Sequence, residues 1–508
     1  MAISCEKQSV EVERLVGRAS FQVPVRAEAA VPGAGRESVE VLMEDAFASV
    51  SSAEAQAGRV LVAGQVQCQA VYRLGEEGGL RALTARASFE QAVDIEDVQP
   101  QMTARARATV EHVEAAYDNG HMIFQAVVAV TVRVRSLTPV EALTRITGDE
   151  PVEILSMSLC PARTSAENSE TAALSDSVSL PAALHARVVL MQWAEPRVES
   201  AERDLGGVRV SGAVQVESLI ASSVAGRPVA LVRCRLPFEQ LVALPDRLEG
   251  EPDCEAEVLN LAVEVEEGAE GEDAALKMRC DLQVTARLEG ADCLEAVSDA
   301  YLAGEGALEL TRETLPVCAG TARTQARETF RGALLLPEGA PGAGTALAAR
   351  VRPVVSAWEA ENGAGRAQGV LEATVLYMPS GSERLSSVRA ELPFSMRLDA
   401  PAGPDAALVV TASEAEASAL MSDRMELRCV LTARGVSWKT EETAVATGAR
   451  ETEAPPRRRG LGVYYPVPGD TFWTVGRRYR IALDQLKADN QDMAAVSAGS
   501  PVFIRLLS

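Results

Sequence analysis

One strand pattern occurs three times in this chain, at intervals that only whole domains can fill. Residues 59–72, RVLVAGQVQCQAVY, put Val60, Val62, Gly64, Val66, Cys68, Ala70 and Tyr72 at a period of two, the spacing of one face of a β-strand. Residues 208–220 repeat it with Val208, Val210, Gly212, Val214, Val216 and Ile220. Residues 369–377 repeat it again with Leu371, Ala373, Val375 and Tyr377 behind Gly369. The three glycines lie 148 and 157 residues apart, too far for solenoid units of about 20 to 50 residues. A phenylalanine follows each glycine at 25, 26 and 25 residues: Phe89, Phe238 and Phe394. A third shared strand comes later, at 124–134, 278–288 and 425–433, the last two carrying Met278-Arg279-Cys280 and Leu427-Arg428-Cys429.

The repeat predicts a mainly β chain of three tandem antiparallel β domains, at 1–148, 149–292 and 293–448. The 508 residues suit several domains at about 150 residues each. Strand entries are expected at Val23-Pro24, Leu180-Pro181 and Leu336-Pro337, and short connectors at 147–150 and 289–292. Asn119-Gly120 predicts a tight hairpin between 104–117 and 122–134. In 277–288 apolar and polar residues alternate, the pattern of a sheet with one wet face. Cys68, Cys280 and Cys429 fall on the dry faces and read as small buried hydrophobes. The repeated glycines mark a bulge or a close crossing. Residues 449–462, ARETEAPPRRRGLG, read as a solvated linker in which Arg457, Arg458 and Arg459 are the alternative candidate for an anion-binding patch.

Composition excludes several functions. The net charge is −23 and aromatic residues make up 4% of the chain, which disfavours binding to nucleic acid or to an anionic membrane surface. Nine cysteines without a CxxC suggest neither a disulfide framework nor a zinc module, and point to a reducing compartment. The three histidines, His112, His121 and His185, have no partner at metal-ligand spacing. No nucleophile elbow, phosphate-binding loop or dinucleotide fingerprint stands in the right context, so we expect no catalytic residues, no metal, no cofactor and no enzyme activity. The start, MAISCEKQSVEVERL, lacks the basic and apolar segments of an export signal, and no apolar run is long enough to span a membrane.

The last segment, 463–508, reads as strand, helix, helix, strand. Asp470 or Thr471 is placed to cap a first helix whose buried stripe is Phe472, Val475, Gly476 and Tyr479, with Arg477, Arg478 and Arg480 facing outward. Residues 483–488 form a second helix around Leu483 and Leu486, and Val502 and Ile504 a closing strand. With PGDTFW, then RRY, then Leu486 and Asn490, this segment resembles the lysin-motif (LysM) family. The resemblance implies a βααβ fold and a groove for N-acetylglucosamine-containing glycans between Gly469, Asp470, Thr471 and Phe472 on one wall and Asn490, Gln491 and Asp492 on the other. Pro466 and Gln491 depart from the family pattern.

The three upstream domains resemble the SPOCS domains of endospore-forming bacteria, on the V-x-G-x-V strand and the hydrophobic-Pro-Phe segment at Leu236-Pro237-Phe238 and Leu392-Pro393-Phe394; Ala87-Ser88-Phe89 lacks the proline. Tandem SPOCS domains followed by a LysM domain are similar to sporulation proteins of clostridial spore formers. That similarity implies a non-enzymatic coat scaffold on the mother-cell side of the forespore surface, in the cytoplasm, tethering the stage IV sporulation coat ATPase through the LysM module. Further coat proteins would bind the β domains. Charge agrees with a tether: residues 1–456 carry −27 and residues 463–508 carry +1. Arg477 and Arg478 then belong to the partner surface together with the groove residues. The alternative is a peptidoglycan- or glycan-binding cell-wall protein, and a third reading is a wall hydrolase targeted by LysM.

Overall fold

In the computed structural model the described residues are 3–33, 38–75, 78–246, 250–266, 274–361, 364–399, 407–456 and 460–506. The first unit contains β1 (Ser4–Ala30), β2 (Val39–Gln56), β3 (Arg59–Leu74), β4 (Leu80–Asp94), β5 (Thr103–Asp118) and β6 (His121–Thr147). They form two three-stranded antiparallel sheets, β1-β6-β5 and β2-β3-β4. The sheets close on one core in which Val60, Val62, Val66, Cys68 and Tyr72 of β3 meet Phe124, Val128, Val130 and Val132 of β6. Asn119 and Gly120 take positive φ and close the β5–β6 hairpin where the sequence places it.

The second unit repeats the plan with β7 (Val152–Leu159), β8 (Ala162–Ser179), β9 (Ala186–Asp204), β10 (Gly207–Val224), β11 (Arg227–Ala243), β12 (Glu251–Glu266), β13 (Ala275–Ala291) and β14 (Leu294–Leu302). Its sheets are β12-β13-β8 and β11-β10-β9, with a separate ribbon β7-β14. The third contains β15 (Ala307–Leu335), β16 (Thr345–Glu361), β17 (Ala364–Met378), β18 (Ser386–Leu398), β19 (Ala407–Met421) and β20 (Arg424–Thr452), as sheets β15-β20-β19 and β16-β17-β18. Two expected boundaries move. Residues 289–292 connect no domains, because β13 runs to Ala291 and β14 pairs back onto β7, so the second unit extends to Leu302. Residues 449–452, expected in the linker, continue β20 against Ala307–Leu310 of β15. The marked prolines open no strands either. Pro24 sits within β1, an edge strand that tolerates a missing N–H, while Pro181 and Pro337 follow the ends of β8 and β15.

Strand pairing explains the fixed glycine-to-phenylalanine spacing. Gly64 lies opposite Phe89, Gly212 opposite Phe238 and Gly369 opposite Phe394. A Cβ on Gly212 or Gly369 would fall 2.9 Å from the phenylalanine ring and would overlap the carbonyl of Arg197 or Val354 on the other neighbour. The ring therefore fills the space the missing side chain leaves. In each unit the register slips beside the glycine, after Val50, between Ser211 and Gly212, and after Val355, so the bulge and the close crossing occur together.

Beyond their sandwiches the long strands continue as two-stranded ribbons, and these pack together. Val10, Val12, Val140 and Ala142 of the first unit, Leu159 and Ala296 of the second, and Val317 and Val445 of the third share one buried cluster. At the opposite end Leu42, Met43 and Val71 meet Leu190, Met191 and Leu219, and Ala348 and Leu376. Three separate sandwich cores are thus joined by clusters built from all three units. Burial on both faces marks this seam in β3, where Gln67, Gln69 and Arg73 are buried beside the core-facing residues. Gln69 exchanges hydrogen bonds with the backbone of Gln192 at 2.9 and 3.1 Å, and Arg73 donates to the Leu385 carbonyl at 2.7 Å.

A polar hub sits in this seam. Asp45, Trp193 and Arg350 each stand five residues before the valine that faces the repeat glycine (Val50, Val198, Val355), so they are equivalent positions of the three units. They meet. The Trp193 Nε1 donates to Asp45 Oδ2 at 2.6 Å, Arg350 Nε donates to the same oxygen at 2.9 Å, and the Arg350 guanidinium lies 5.2 Å from the Trp193 ring centre. Arg352 completes the set on Asp45 Oδ1. Burial opposes the charge on Asp45, but Arg352 and then Arg350 outweigh it and hold the carboxyl down at about 2.

The adjacent Glu44 behaves oppositely. Burial pushes its carboxyl up to about 7, and its ion-pair partner Arg389 is half exposed, so solvent screens the compensation. A carboxyl raised in the folded state stabilises below its unfolded value near 4.5, and that contribution is lost as pH rises through about 7. Glu44→Gln should therefore unfold at higher urea than the parent at pH 8, by roughly 1–3 kcal/mol, with the difference shrinking as pH falls and gone below the unfolded value near 4.5. Equal midpoints at pH 8 would contradict this account.

The cysteines divide. Cys68, Cys280 and Cys429 are buried, and burial raises their thiols to about 12, 11 and 11. Cys160 and Cys293, against the expectation of unpaired thiols, form a disulfide across the break where β7 gives way to β8 and β13 to β14. Among the described residues no helix is long and apolar enough to cross a membrane.

Candidate functional site

The C-terminal segment is built from β21 (Gly460–Tyr464), α1 (Phe472–Tyr479), α2 (Leu483–Ala488) and β22 (Val502–Leu506), with β21 and β22 antiparallel. Its core is Val475, Ile481, Leu486, Val502 and Ile504, with Phe472 and Tyr479 packed against it. A turn after Val467 requires Gly469 at φ 97°. Thr471 then caps α1 by accepting from the Thr474 N–H at 3.2 Å while Thr474 Oγ1 accepts from the Thr471 N–H at 2.8 Å. Of the expected linker, residues 453–456 are irregular, and Arg457, Arg458 and Arg459 lie outside the described residues.

The residues expected to wall a groove are of two kinds. Asp470 Oδ2 accepts from the Tyr464 hydroxyl at 2.7 Å and the Val467 N–H at 2.9 Å, bonds that hold its carboxyl below the ordinary carboxylate range. Asn490 is buried: its amide donates to the Leu486 and Phe503 carbonyls, each at 2.8 Å, and accepts from the Phe503 N–H at 2.7 Å. That staples α2 to β22 and leaves the amide no free donor. Gly469, Thr471, Gln491 and Asp492 are exposed, and Phe472 is half-buried. The two loops touch where the Gly499 N–H meets the Pro466 carbonyl at 3.4 Å.

The arginines of α1 lie off the module's core, and two of them meet another unit. Helical spacing places Arg477 and Arg480 outward from the module, but that side of α1 lies on the β7-β14 ribbon of the second unit. Arg477 Nη1 donates to Asp299 Oδ2 at 2.6 Å, and Trp473 Nε1 donates to the same oxygen at 2.9 Å. The Trp473 ring stands edge-on to Tyr301 at 5.0 Å. The Tyr301 hydroxyl donates to the Ile481 carbonyl at 2.8 Å, and burial raises its pKa. Glu153 accepts the Leu483 N–H at 3.1 Å, one of the free amides at the start of α2. Arg480 reaches the Gly306 and Pro455 carbonyls at 3.4 and 2.7 Å. Gly476 is required here, because a Cβ would overlap the Tyr301 hydroxyl. The module is docked, and of the two arginines assigned to a partner surface only Arg478 stays outward, stacked 5.1 Å over Tyr464.

Sequence reasoning missed the docking residues Asp299, Tyr301 and Glu153. It also missed an exposed apolar strip on the module: Leu461, Val463 and Tyr465 alternate along one face beside Phe503, which pairs with Val463. Elsewhere His112 bridges Glu372 of the third unit and Glu114 at 2.9 and 3.2 Å. Among the described residues no group of three or more His, Cys, Asp or Glu side chains is placed to hold a metal ion.

No curated protein and no solved structure matches the chain. The family model described as "SipL, SPOCS domain" matches residues 39–118, the span from β2 through β5, so this part of the first unit is similar to the SPOCS domain of sporulation proteins.

Proposed function

We propose that the chain is a non-enzymatic sporulation scaffold in which three SPOCS-like units form one body and the C-terminal LysM-like module holds the stage IV sporulation coat ATPase at the forespore surface, from the mother-cell cytoplasm. The observation that carries this reading is the SPOCS match at residues 39–118 together with the recurrence of its glycine–phenylalanine strand pair in the second and third units. Further coat proteins engage the β units. The docked geometry bears on how the module is used: Asp299 occupies Arg477, so the partner meets the side of α1 that carries Arg478. The glycan-binding alternative is weaker, because the Asn490 amide and the Asp470 carboxylate are spent on internal bonds.

Capture of the ATPase from a sporulating lysate by the full chain, compared with a chain ending at Glu453, tests the reading. Capture should be lost on truncation and should resist chitin oligomers. Arg478→Glu should slow association about two- to fivefold, more at low salt than at high, because a rim charge acts chiefly on encounter. Undiminished capture by the truncated chain, with chitin bound tightly by the full one, would replace the scaffold with the cell-wall reading.

A further inference from the structure

The three long strand pairs are all irregular where they meet. The register of β1 slips between Leu15 and Gly17, that of β15 between Cys318 and Gly320, and the second unit breaks outright between β7 and β8. Where the strands splay, a cavity of about 550 Å³ opens, with walls from all three units. That volume lies in the range of small-molecule sites.

Its charge runs against that of the chain. Arg14, Arg135, Arg163 and Arg323 line it with Glu13, Glu251 and Glu289, four cations to three anions, where the whole sequence has 49 basic to 72 acidic residues. Three of the four are committed. Arg135 pairs with Glu13 at 2.9 Å and stacks 4.0 Å from the Trp438 ring centre, Arg323 pairs with Glu289 at 2.6 Å, and Arg163 is held by Glu11 and Asp292. Arg14 is different: its Nε donates to Ser136 Oγ at 3.2 Å, and among the described residues it has no carboxylate partner. Leu15, Pro316 and Trp438 supply apolar wall beside it.

We propose that this cavity binds a small amphipathic organic anion, its head on Arg14 and its apolar body against Trp438, Leu15 and Pro316. An unpaired guanidinium at an apolar wall offers strong hydrogen bonds to an oxyanion and little to a neutral molecule. Glu251, also without an ion-pair partner among the described residues, lines the same cavity and opposes the anion, so it limits affinity. A ligand touching three units also stabilises their closure by linkage.

The test compares 8-anilinonaphthalene-1-sulfonate with N-phenyl-1-naphthylamine, the same ring system without the sulfonate, on the full chain. The sulfonate should bind saturably at one site per chain, and the neutral analogue at least about tenfold more weakly. Arg14→Glu, a change at an exposed side chain, should weaken the sulfonate about tenfold or more, and Ala291→Phe should abolish it by filling the cavity. Glu251→Gln should tighten it about two- to threefold. Phe503→Ser, on the exposed strip of the C-terminal module, should change nothing. Absence of a saturable site, equal binding of the neutral analogue, or a site insensitive to Arg14→Glu would each overturn the proposal, and loss with Phe503→Ser would assign the dye to the module. Arg14→Glu decides alone if Ala291→Phe fails to fold.

Discussion

Asp45→Ala should cost the protein roughly 3–5 kcal/mol, the largest loss expected from a single substitution in the body. Asp45 is 3% exposed and serves three groups from two other units: the Trp193 indole N–H and the guanidinium groups of Arg350 and Arg352. Removing it leaves two half-buried cations side by side on β16, with only Glu372 to offset Arg352, at 3.1 Å. The cost is one of uncompensated charge more than of a lost bond, which sets the ordering of variants. Trp193→Phe removes one donor, leaves both ion pairs, and should cost only about 1 kcal/mol. Replacing the set by apolar residues of similar volume should cost less than Asp45→Ala alone.

Urea unfolding is the measurement, followed by a probe in each unit, since three sandwiches need not melt together. The early transition should be the one that separates the units. Acid gives an independent check. Asp45 is held down at about 2, so it contributes fully above its unfolded value near 3.8, and that contribution fades as pH falls through about 2. The gap between parent and Asp45→Ala should narrow below pH 4, beneath the range in which the neighbouring Glu44 titrates. A loss under 1 kcal/mol, or a gap that widens in acid, would mean that the hub does not join the units.

What the sequence reveals of this fold, and what it hides, follows from the kind of regularity each feature leaves. The three core strands were legible because alternation along β3, β10 and β17 is local, and because a glycine that must admit a phenylalanine ring cannot vary in any copy. The seam was not legible. Asp45, Trp193 and Arg350 are equivalent by position, but a site where three copies meet needs an anion, a neutral donor and a cation, so the repeat is erased where it does most. Unit boundaries slipped for a related reason. β20 continues from its sandwich part through the polar residues 439–442 into its ribbon, so the sequence pattern does not mark where the unit ends, and the break at 289–292 resembles an end and is not one. In the C-terminal module the helices were legible from caps and stripe. The role of Asn490 was not, because an asparagine after a helix reads equally as a groove wall or as a staple until its bonds to Phe503 are seen.

Arg477 shows the same limit and carries the second large effect. A helical wheel correctly puts it outside the module's own core, but it cannot say that β14 lies against that side. Asp299 is 8% exposed and takes Trp473, Arg477 and Arg312 on its two oxygens. Truncating it leaves an indole N–H at the interface without an acceptor, together with two arginines that solvent reaches. Asp299→Ala should therefore weaken docking by roughly 2–4 kcal/mol while the module itself stays folded, because its core of Val475, Ile481, Leu486, Val502 and Ile504 lies apart from Asp299. Amide exchange across residues 472–488 should accelerate by about 30-fold or more, and acrylamide should reach Trp473. Tyr301→Phe, which loses only the bond to the Ile481 carbonyl, should give a several-fold change. Asp299→Asn should fall between, since an amide oxygen still accepts from Trp473 but no longer balances Arg477. The same variant separates two modes of partner binding. If the proposed partner uses the Arg478 side of the module, Asp299→Ala leaves its affinity unchanged. If it competes for the face of Trp473 and Arg477, undocking raises the affinity by the factor that docking had withheld. Unchanged exchange in α1 and α2 would show that the module is held by other contacts and that Asp299 is not its anchor.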